Sequence, residues 1–252
     1  MRIGIVGGTG PLGRGLALRL AASAFEVVLG SRDEQRGASA AGELEALLHE
    51  WQEAAGATEP AGGANARGAT VSAAARAPMQ DAPGSVEGGS NEKATESDLV
   101  FLTTPWEGCI STARGLRKHL AGKTVVSTVN ALVKEGRELH ALLGPRGSMG
   151  AWIQATLPDS GVVVACNHLP AAELLDPTAR VEADVFVCGD ARASKEAVIE
   201  ALSAVHGLRL LDVGSLSQAG ALEAMTAVLV NLNIRYGGAA TIGLRNLYAE
   251  TV

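Results

Sequence analysis

The fold of this chain is decided by residues 2–15, which read RIGIVGGTGPLGRG. A short apolar run leads into glycines with the spacing Gly8-x-Gly10-x-x-Gly13 and then into residues that can begin a helix. This order of strand, glycine-rich turn and helix is the fingerprint of a dinucleotide-binding βα unit. We therefore predict a nucleotide site at the turn; the alternative is a turn that serves packing alone.

Each residue type in the turn has a physical reason to be there. Gly8 permits the tight turn, Gly10 lets the backbone approach a pyrophosphate, and Gly13 lets the helix pack closely on the strand. Pro11 suits the first helical position, because its ring presets the helical φ angle. Free N–H groups and the helix dipole at this end favour a phosphate. The candidate loop residues are Gly8, Gly10, Pro11, Leu12 and Gly13.

The residues after the second predicted strand, 25–29, bear on the choice of cofactor. A site selective for NAD usually has Asp or Glu there, which binds the ribose 2′-hydroxyl. This chain has Ser31 and Arg32 instead, and Arg36 lies one helical turn later. A hydroxyl donor and a fork-shaped cation suit a 2′-phosphate. We therefore predict NADP rather than NAD; the alternative is that Ser31 caps the next helix and Arg32 is a surface charge.

Composition disfavours several function classes. The chain has 252 residues, 47% of them hydrophobic, which is enough for one large domain or for a nucleotide domain with a smaller partner. Its net charge of −6 and pI near 5.4 argue against a nucleic-acid partner. Three scattered cysteines without a CxxC pair indicate small buried residues rather than disulfides or a metal site. The apolar stretch before the glycines is too short for a signal peptide, so we expect a cytoplasmic protein.

Apolar runs alternate with helical patterns along most of the chain. Strands are predicted at 2–6, 25–29, 99–103, 124–129, 162–165, 185–188 and 208–213, with helices between them. Strands that are apolar on both faces are typical of a parallel sheet covered by helices. The alternation predicts a doubly wound α/β fold of Rossmann type with a parallel sheet. We divide the chain into a nucleotide-binding domain, 1–166, and a small C-terminal α/β domain, 167–252.

Two segments depart from this alternation. Residues 56–84 are rich in Ala, Gly and Pro, and we interpret them as a surface insertion that is at least partly flexible. The third strand is predicted either at 84–88 or at 68–72. Residues 217–236 form one long, mostly apolar helix, whose polar and charged residues argue against a membrane span.

The residues that follow the later strands are candidates for the site, because ligands of open α/β sheets bind at the carboxyl ends of strands. Thr104, Pro105 and Trp106 follow the fourth strand, and Asn130 follows the fifth. Pro105 has no N–H and stiffens its turn. The flat indole ring suits packing against a planar heterocycle, although it would equally anchor its own helix to the sheet. We predict that these four residues line the cofactor.

His168 is the candidate for chemistry among the five histidines. It follows a buried strand at the level expected for a nicotinamide, whereas the others fall in helices or at helix ends. There it can hydrogen-bond a substrate heteroatom or supply a proton; the alternative is a structural histidine. The sequence has no Ser-His-Asp order, metal-ligand cluster or paired carboxylates, so hydrolysis and metal catalysis have little support.

Six short motifs occur in order along the chain. They are Gly7-Gly-Thr-Gly-Pro-Leu-Gly-Arg-Gly-Leu-Ala-Leu-Arg-Leu20, Gly30-Ser31-Arg32, Thr104-Pro105-Trp106-Glu107, Val187-Cys188-Gly189-Asp190, Leu211-Asp212-Val213-Gly214 and Leu229-Val230-Asn231-Leu232-Asn233. Together they resemble the NADPH:coenzyme F420 oxidoreductases over most of the chain. The resemblance implies reversible hydride transfer between NADP(H) and the deazaflavin coenzyme F420. It also implies a cleft between a Rossmann domain and a small C-terminal domain, in a protein that forms homodimers.

The resemblance assigns roles by position. The implied NADP contacts are Thr9, Ser31, Arg32 and Arg36. Pro105 and Trp106 would form the wall of the nicotinamide pocket, and His168 would lie beside the deazaflavin. The chain departs from the family in its longer insertion and in residues 131–155, which carry no motif that aligns.

Two other functions fit the same residues. An NADPH-dependent imine or ketone reductase, related to pyrroline-5-carboxylate reductase, shares the N-terminal pattern and would use His168 as a proton donor. A non-catalytic NADPH-sensing module would bind the cofactor without turnover. Turnover of F420 by the purified protein distinguishes the three functions.

Overall fold

A central sheet of eight strands organises the molecule, whose computed structural model describes residues 1–57 and 84–247. The strands are β1 (Arg2–Val6), β2 (Glu26–Ser31), β3 (Ser85–Ser90), β4 (Leu99–Leu102), β5 (Thr124–Ser127), β6 (Leu132–Glu135), β7 (Glu138–Ala141), β8 (Gly161–Val164), β9 (Ala183–Gly189) and β10 (Leu208–Asp212). The order across the central sheet is β10-β9-β8-β5-β4-β1-β2-β3, and β6 and β7 form a separate hairpin.

Helices cover both faces of the sheet. They are α1 (Pro11–Ala22), α2 (Glu34–Ala57), α3 (Asn91–Ala94), α4 (Trp106–Leu120), α5 (Met149–Thr156), α6 (Ala171–Leu175), α7 (Arg192–Ser203) and α8 (Ala219–Tyr236), the last preceded by a 3₁₀ turn, Leu216–Gln218. Alternate residues of β4 enter different core clusters: Phe101 packs with α1 and α2, whereas Val100 and Leu102 pack with α4 and α5. Such a two-sided strand confirms the predicted doubly wound α/β fold.

One strand pair departs from the parallel arrangement. β8 and β9 are antiparallel, with Val164 opposite Cys188, whereas β9 and β10 are parallel to each other. The reversal begins at Cys166, whose φ of +62° lies in the left-handed region that residues other than glycine rarely adopt. The chain returns through the short α6 instead of a full crossover helix, so β9 runs in the opposite direction. The sheet is therefore mostly, rather than wholly, parallel.

The predicted domain boundary after residue 166 coincides with this reversal. Beyond it, β9 and β10 extend the same sheet, and Val185 shares a core cluster with Ile3. The buried guanidinium of Arg19 in α1 donates hydrogen bonds to four backbone carbonyls within residues 173–179. The C-terminal part is thus joined to the nucleotide-binding part through the sheet and through α1, and its division into a separate domain stays a prediction.

The third strand lies at one of its two predicted positions, because β3 overlaps the segment 84–88. The other position, 68–72, and most of the predicted insertion fall within residues 58–83, outside the described residues. The hairpin of β6 and β7 is absent from the sequence prediction. Its residues 133–138 are exposed and largely charged, so they show neither the alternation of a half-buried strand nor the apolar run of a buried one.

The predicted helix 217–236 is observed as α8, and it holds the hairpin. Asn231 Oδ1 accepts the N–H of Leu139 at 2.8 Å, and Asn231 Nδ2 donates to the Leu139 carbonyl oxygen at 2.8 Å. Arg235 adds an ion pair with Glu138 at 2.8 Å. Within the two described ranges, no helix is both long enough and apolar enough to cross a membrane.

Candidate cofactor site

The glycine-rich loop joins β1 to α1 and is fixed to the ends of two other strands. Gly7 has a φ of +72°, and its N–H donates to Asn91 Oδ1 at 3.0 Å. The N–H of Gly8 donates to the carbonyl oxygen of Gly30 at 2.9 Å. Because Gly30 lies in β2 and Asn91 directly follows β3, the loop is held against both strand ends.

The three fingerprint glycines meet different constraints. A Cβ atom on Gly8 would lie 2.7 Å from Leu29 Cδ1, and one on Gly13 would lie 2.6 Å from the Gly8 oxygen. These two positions need glycine for the packing of the protein itself. A Cβ on Gly10 would lie 3.8 Å from its nearest neighbour, the oxygen of Gly7, at φ −76° and ψ 165°, which any residue adopts. Packing therefore gives no reason for Gly10, whereas close approach of a pyrophosphate does.

The start of α1 has the arrangement expected of a phosphate site. Gly10 is the N-cap and Pro11 is the first helical residue. The N–H groups of Leu12 and Gly13 lack a partner within the helix because they lie in its first turn. No side chain of the described residues caps this end of the helix either. Thr9 lies half-buried beside them. Free N–H groups and the helix dipole together favour an anion at this position.

The end of β2 presents a hydroxyl group followed by two cations. Ser31 is buried, and its Oγ accepts the N–H of Asp33 at 3.2 Å. Arg32 and Arg36 are exposed, and neither guanidinium forms an ion pair with a residue that the structure describes. Asp33 Oδ1 accepts the N–H of Arg36 at 3.2 Å, so this carboxylate caps its own helical turn. The two guanidinium groups are thereby available to an anion.

The residues after β4 lie on the other side of the loop. A Cβ on Gly7 would lie 2.5 Å from Thr104 Cγ2, which places the threonine directly against the loop. The Thr104 hydroxyl is enclosed and has no hydrogen-bond partner in the described part of the chain. Pro105 is exposed and precedes α4, while Trp106 packs partly against the core beneath that helix. Trp106 thus anchors its helix and keeps a partly exposed surface for a ligand.

Asn130, after β5, forms a reciprocal pair with Asn167, after β8. Asn130 Nδ2 donates to the Asn167 carbonyl oxygen at 2.8 Å, and Asn167 Nδ2 donates to Asn130 Oδ1 at 3.1 Å. The hydroxyl of Thr226 in α8 donates to the same Asn167 carbonyl at 3.2 Å. This pair therefore fixes the Asn130 amide and connects α8 with the carboxyl edge of the sheet.

His168 lies in the turn after β8, with only 6% of its surface exposed. Its Nε2 is 2.8 Å from the carbonyl oxygen of Asp184, and because a carbonyl oxygen only accepts, Nε2 carries the proton. The ring packs against Phe186 with 5.6 Å between centroids. Burial lowers the pKa of His168, so the imidazole is neutral at neutral pH. The ring thus faces β9, and its Nε2 proton is already bound within the protein.

The sheet order gathers most of the predicted site residues at one edge. β5, β4, β1 and β2 are parallel neighbours, so their carboxyl ends meet. The residues at or after these ends are the loop 8–13, Ser31, Arg32, Arg36, Thr104, Pro105, Trp106 and Asn130. His168 follows the next strand, β8, but its ring is turned towards β9 and not towards the loop.

The three cysteines are free and buried, as predicted. Burial raises the pKa of Cys109 to about 11 and the pKa values of Cys166 and Cys188 to about 12. These thiols are therefore protonated at neutral pH and are poor nucleophiles. Among residues 1–57 and 84–247, no group of three His, Cys, Asp or Glu side chains is arranged to hold a metal ion.

Three buried polar residues near this edge are absent from the sequence prediction: Asn91, Asn167 and Glu223. Glu223 of α8 accepts the N–H groups of Met149 at 2.7 Å and Gly150 at 2.9 Å, at the start of α5. Burial raises its pKa to about 7. Asn91 and Asn167 follow strand ends, which is the signal that identified Asn130. Glu223 gave no comparable signal, because a carboxylate in an apolar helix does not indicate which helix it caps.

Known proteins resemble this chain along nearly its full length. Residues 2–131 match the family described as NADP oxidoreductase, coenzyme F420-dependent. The F420-dependent NADP reductase of Methanocaldococcus jannaschii is 32% identical over 248 residues, covering 97% of each chain. The enzyme of that name from Methanothermobacter marburgensis is 29% identical over 240 residues, covering 93% of each. A crystal structure of a candidate F420-dependent NADP reductase from Arthrobacter sp. FB24 shares the fold, with a TM-score of 0.70 at 24% identity, and covers 97% of this chain and 100% of that one.

The family match extends over the part of the chain that forms the site. It begins at β1 and ends after β5, so it includes the glycine-rich loop and the carboxyl ends of β2, β4 and β5. The match to the first of these reductases continues through the C-terminal strands and α8. The chain belongs to the family of coenzyme F420-dependent NADP oxidoreductases.

Proposed function

We propose that the protein transfers a hydride between NADP(H) and the deazaflavin coenzyme F420. The observation that carries this proposal is the 32% identity to an F420-dependent NADP reductase over 97% of both chains. The site agrees with it, because one sheet edge combines a loop suited to a pyrophosphate with two unpaired arginines among the described residues. A dinucleotide with a 2′-phosphate fits that combination of groups.

The two ligands supply the redox chemistry, since both rings accept and release a hydride at carbon. The protein has to hold the reacting carbons at near-attack distance and exclude water from them. It needs no nucleophile for this reaction, in keeping with cysteine thiols that stay protonated at neutral pH. Binding and orientation are therefore the work of the residues at the carboxyl edge.

The phosphate end of NADP(H) is bound by the loop and by the residues after β2. Backbone N–H groups at the start of α1 and the Thr9 side chain bind the pyrophosphate. Ser31, Arg32 and Arg36 bind the 2′-phosphate, which would give the enzyme its preference for NADP(H) over NAD(H). The exposure of both arginines supports this assignment.

The nicotinamide end lies against the residues after β4 and β5. Thr104 contacts the loop, and Pro105 and Trp106 form the wall of the pocket, with Asn130 held in place by Asn167. His168 acts beside the deazaflavin by fixing the turn that carries Asn167, because its own proton is bound by Asp184. This role requires no proton transfer from the imidazole.

The protein also forms a homodimer in this proposal. Exposed large apolar side chains concentrate on the hairpin, on α8 and on the segments next to them: Val133, Leu142, Leu143, Val228, Leu232, Ile234, Tyr236, Leu244 and Leu247. Contiguous exposed apolar surface marks an interaction site.

Light scattering after gel filtration should give twice 25.7 kDa. Ile234→Glu should reduce the mass to one chain, whereas Arg192→Glu, at an exposed position of α7, should not; a single-chain mass for the wild type refutes the dimer.

One assay tests the proposed activity. Purified protein is mixed with NADPH and oxidised F420, and the deazaflavin absorbance is followed with time; it should fall with NADPH and much more slowly with NADH. Oxidation of NADPH by a cyclic imine, with no reaction of F420, would indicate an imine reductase instead. Binding of NADPH without turnover of either acceptor would indicate a sensing module.

A further inference from the structure

Asn91 is a buried amide that links the glycine-rich loop to the end of β3. It is 5% exposed and is the first residue after that strand. Its Oδ1 accepts the N–H of Gly7 at 3.0 Å. Because an N–H group only donates, the oxygen must face Gly7, and this fixes the orientation of the whole amide.

The other end of this amide lacks a partner in the protein. No residue that the structure describes accepts a hydrogen bond from Asn91 Nδ2, although the side chain is more than nine-tenths buried. The atom is also not sealed in the interior, in contrast to Ser97 Oγ and Thr104 Oγ1. The Nδ2 group therefore reaches the surface of the protein, where an oxygen of a bound ligand can accept its hydrogen bond.

The position of Asn91 indicates which part of a ligand it would meet. β2 and β3 pair in parallel with Ser31 opposite Ser90, so Asn91 follows directly beside the start of the 2′-phosphate site. A Cβ on Gly30 would lie 3.1 Å from both Cα and Oδ1 of Asn91. Asn91 thus lies between the beginning of the phosphate loop and the end of β2. In a dinucleotide-binding sheet, the adenosine ribose occupies this place.

We infer that Asn91 is a binding residue for the adenosine half of NADP(H). Its Oδ1 holds the loop at Gly7, and its Nδ2 donates a hydrogen bond to an oxygen of the adenosine ribose or of the phosphates attached to it. One side chain would thereby couple the position of the loop to the presence of the cofactor. This inference rests on the proposed binding of NADP(H).

Asn91→Asp tests the donor separately from the loop contact. The carboxylate keeps an oxygen for the Gly7 N–H and replaces the Nδ2 donor by an acceptor of the same shape. Calorimetry should show Kd values about 10- to 100-fold higher, by a similar factor for NADPH and for 2′,5′-ADP, which contains only the adenosine half. Burial of the new carboxylate should lower the melting temperature by about 2–4 °C for each kcal/mol lost, so binding is measured well below it. Asn91→Ala removes both contacts, so it should weaken both ligands and also lower the melting temperature by about 2–4 °C, the shift expected for a loss of about 1 kcal/mol in a chain of this size.

A matched control separates the hydrogen bond from the added charge. Ser90→Asp places a carboxylate one residue away and keeps the N-cap of α3, since Ser90 Oγ accepts the N–H of Lys93. At about 0.5 M salt the purely electrostatic loss in this control should largely disappear, whereas the loss in Asn91→Asp should remain.

Three results would overturn the inference. They are an Asn91→Asp affinity within about threefold of wild type, a loss that salt abolishes as it does in the Ser90→Asp control, and a loss for NADPH that 2′,5′-ADP does not share. If the wild type fails to bind NADPH at all, the proposed function falls as well. If the wild type binds NADPH and reduces F420, and Asn91→Asp binds NADPH as tightly as the wild type, this inference alone is refuted and the proposed function stands.

Discussion

Gly10→Ala should separate the stability of the fold from the binding of NADPH. The new Cβ meets nothing nearer than the Gly7 oxygen at 3.8 Å, and the backbone at φ −76° and ψ 165° accepts alanine. Alanine lowers the entropy of the unfolded chain, which stabilises the protein by about 0.4–1 kcal/mol. It is a poorer N-cap than glycine by a similar amount. The free energy of unfolding should therefore change by less than about 1 kcal/mol.

The effect on the cofactor should be larger. In the NADPH complex the added methyl group occupies the space through which the loop backbone approaches the pyrophosphate. An extra methyl group in a well-packed contact costs about 1–3 kcal/mol, which corresponds to a Kd about 5- to 150-fold higher. Titration calorimetry with NADPH measures the affinity, and urea unfolding without cofactor measures the stability.

Gly13→Ala is the matched control, because its Cβ would lie 2.6 Å from the Gly8 oxygen. This variant should lose about 1–3 kcal/mol of stability with no cofactor present. Unchanged NADPH affinity in Gly10→Ala would refute the reasoning, since it would mean that no phosphate approaches the backbone there. Stability lowered as much as in Gly13→Ala would show that the space beside Gly10 is not open.

Three further predictions concern cofactor choice, His168 and pH. Arg32→Ala should raise the Kd for NADPH about 10- to 150-fold and leave the Kd for NADH unchanged, as measured by calorimetry; equal losses would make Arg32 a structural residue. His168→Gln keeps an N–H for the Asp184 carbonyl, so F420 reduction should stay within about tenfold of wild type, whereas loss of a general acid would cost about 10²–10⁴ in rate. Burial raises the pKa of Glu223 from 4.5 to about 7, so the native state keeps a proton that the unfolded chain loses between these values, and stability falls as pH rises through this window. Glu223→Gln removes this dependence, and urea unfolding should show the variant gaining up to about 3 kcal/mol relative to wild type between about pH 5 and pH 8; a difference independent of pH would contradict the burial of this carboxylate.

The cofactor end of the site was predictable because its signals are local. The loop 8–13 combines strand, glycines and helix within one short stretch, and Ser31 and Arg32 follow the next strand at a fixed place. Parallel strands with covering helices then bring their carboxyl ends to one edge without any further information. The fold and these residues can therefore be predicted from the order of strands and helices along the chain and from the spacing of the motif residues.

The other end of the site depends on long-range contacts that the sequence does not display. The ring of His168 faces β9 because the chain reverses at Cys166, and nothing in the pattern of β9 distinguishes an antiparallel strand from a parallel one. The capping of α5 by Glu223 joins residues 73 and 74 positions apart. Asn91 was missed for a different reason, since the third strand had two candidate positions and its end could not be fixed.

The contacts that attach the hairpin to α8 are few, so the hairpin should open more often than the central sheet does. Among the strands that the structure describes, β6 and β7 pair only with each other, and the Asn231 amide contributes two hydrogen bonds that hold Leu139. These two bonds and the exposed Arg235–Glu138 ion pair are together worth about 1–4 kcal/mol, less than the 5–15 kcal/mol typical of unfolding a whole domain. We therefore expect the hairpin to open locally in the single chain, with its amides exchanging faster than those of the central sheet in hydrogen-exchange measurements. Because β6 begins two residues after Asn130, such opening would loosen the nicotinamide end of the site, whereas the glycine-rich loop is held by hydrogen bonds to Gly30 and Asn91.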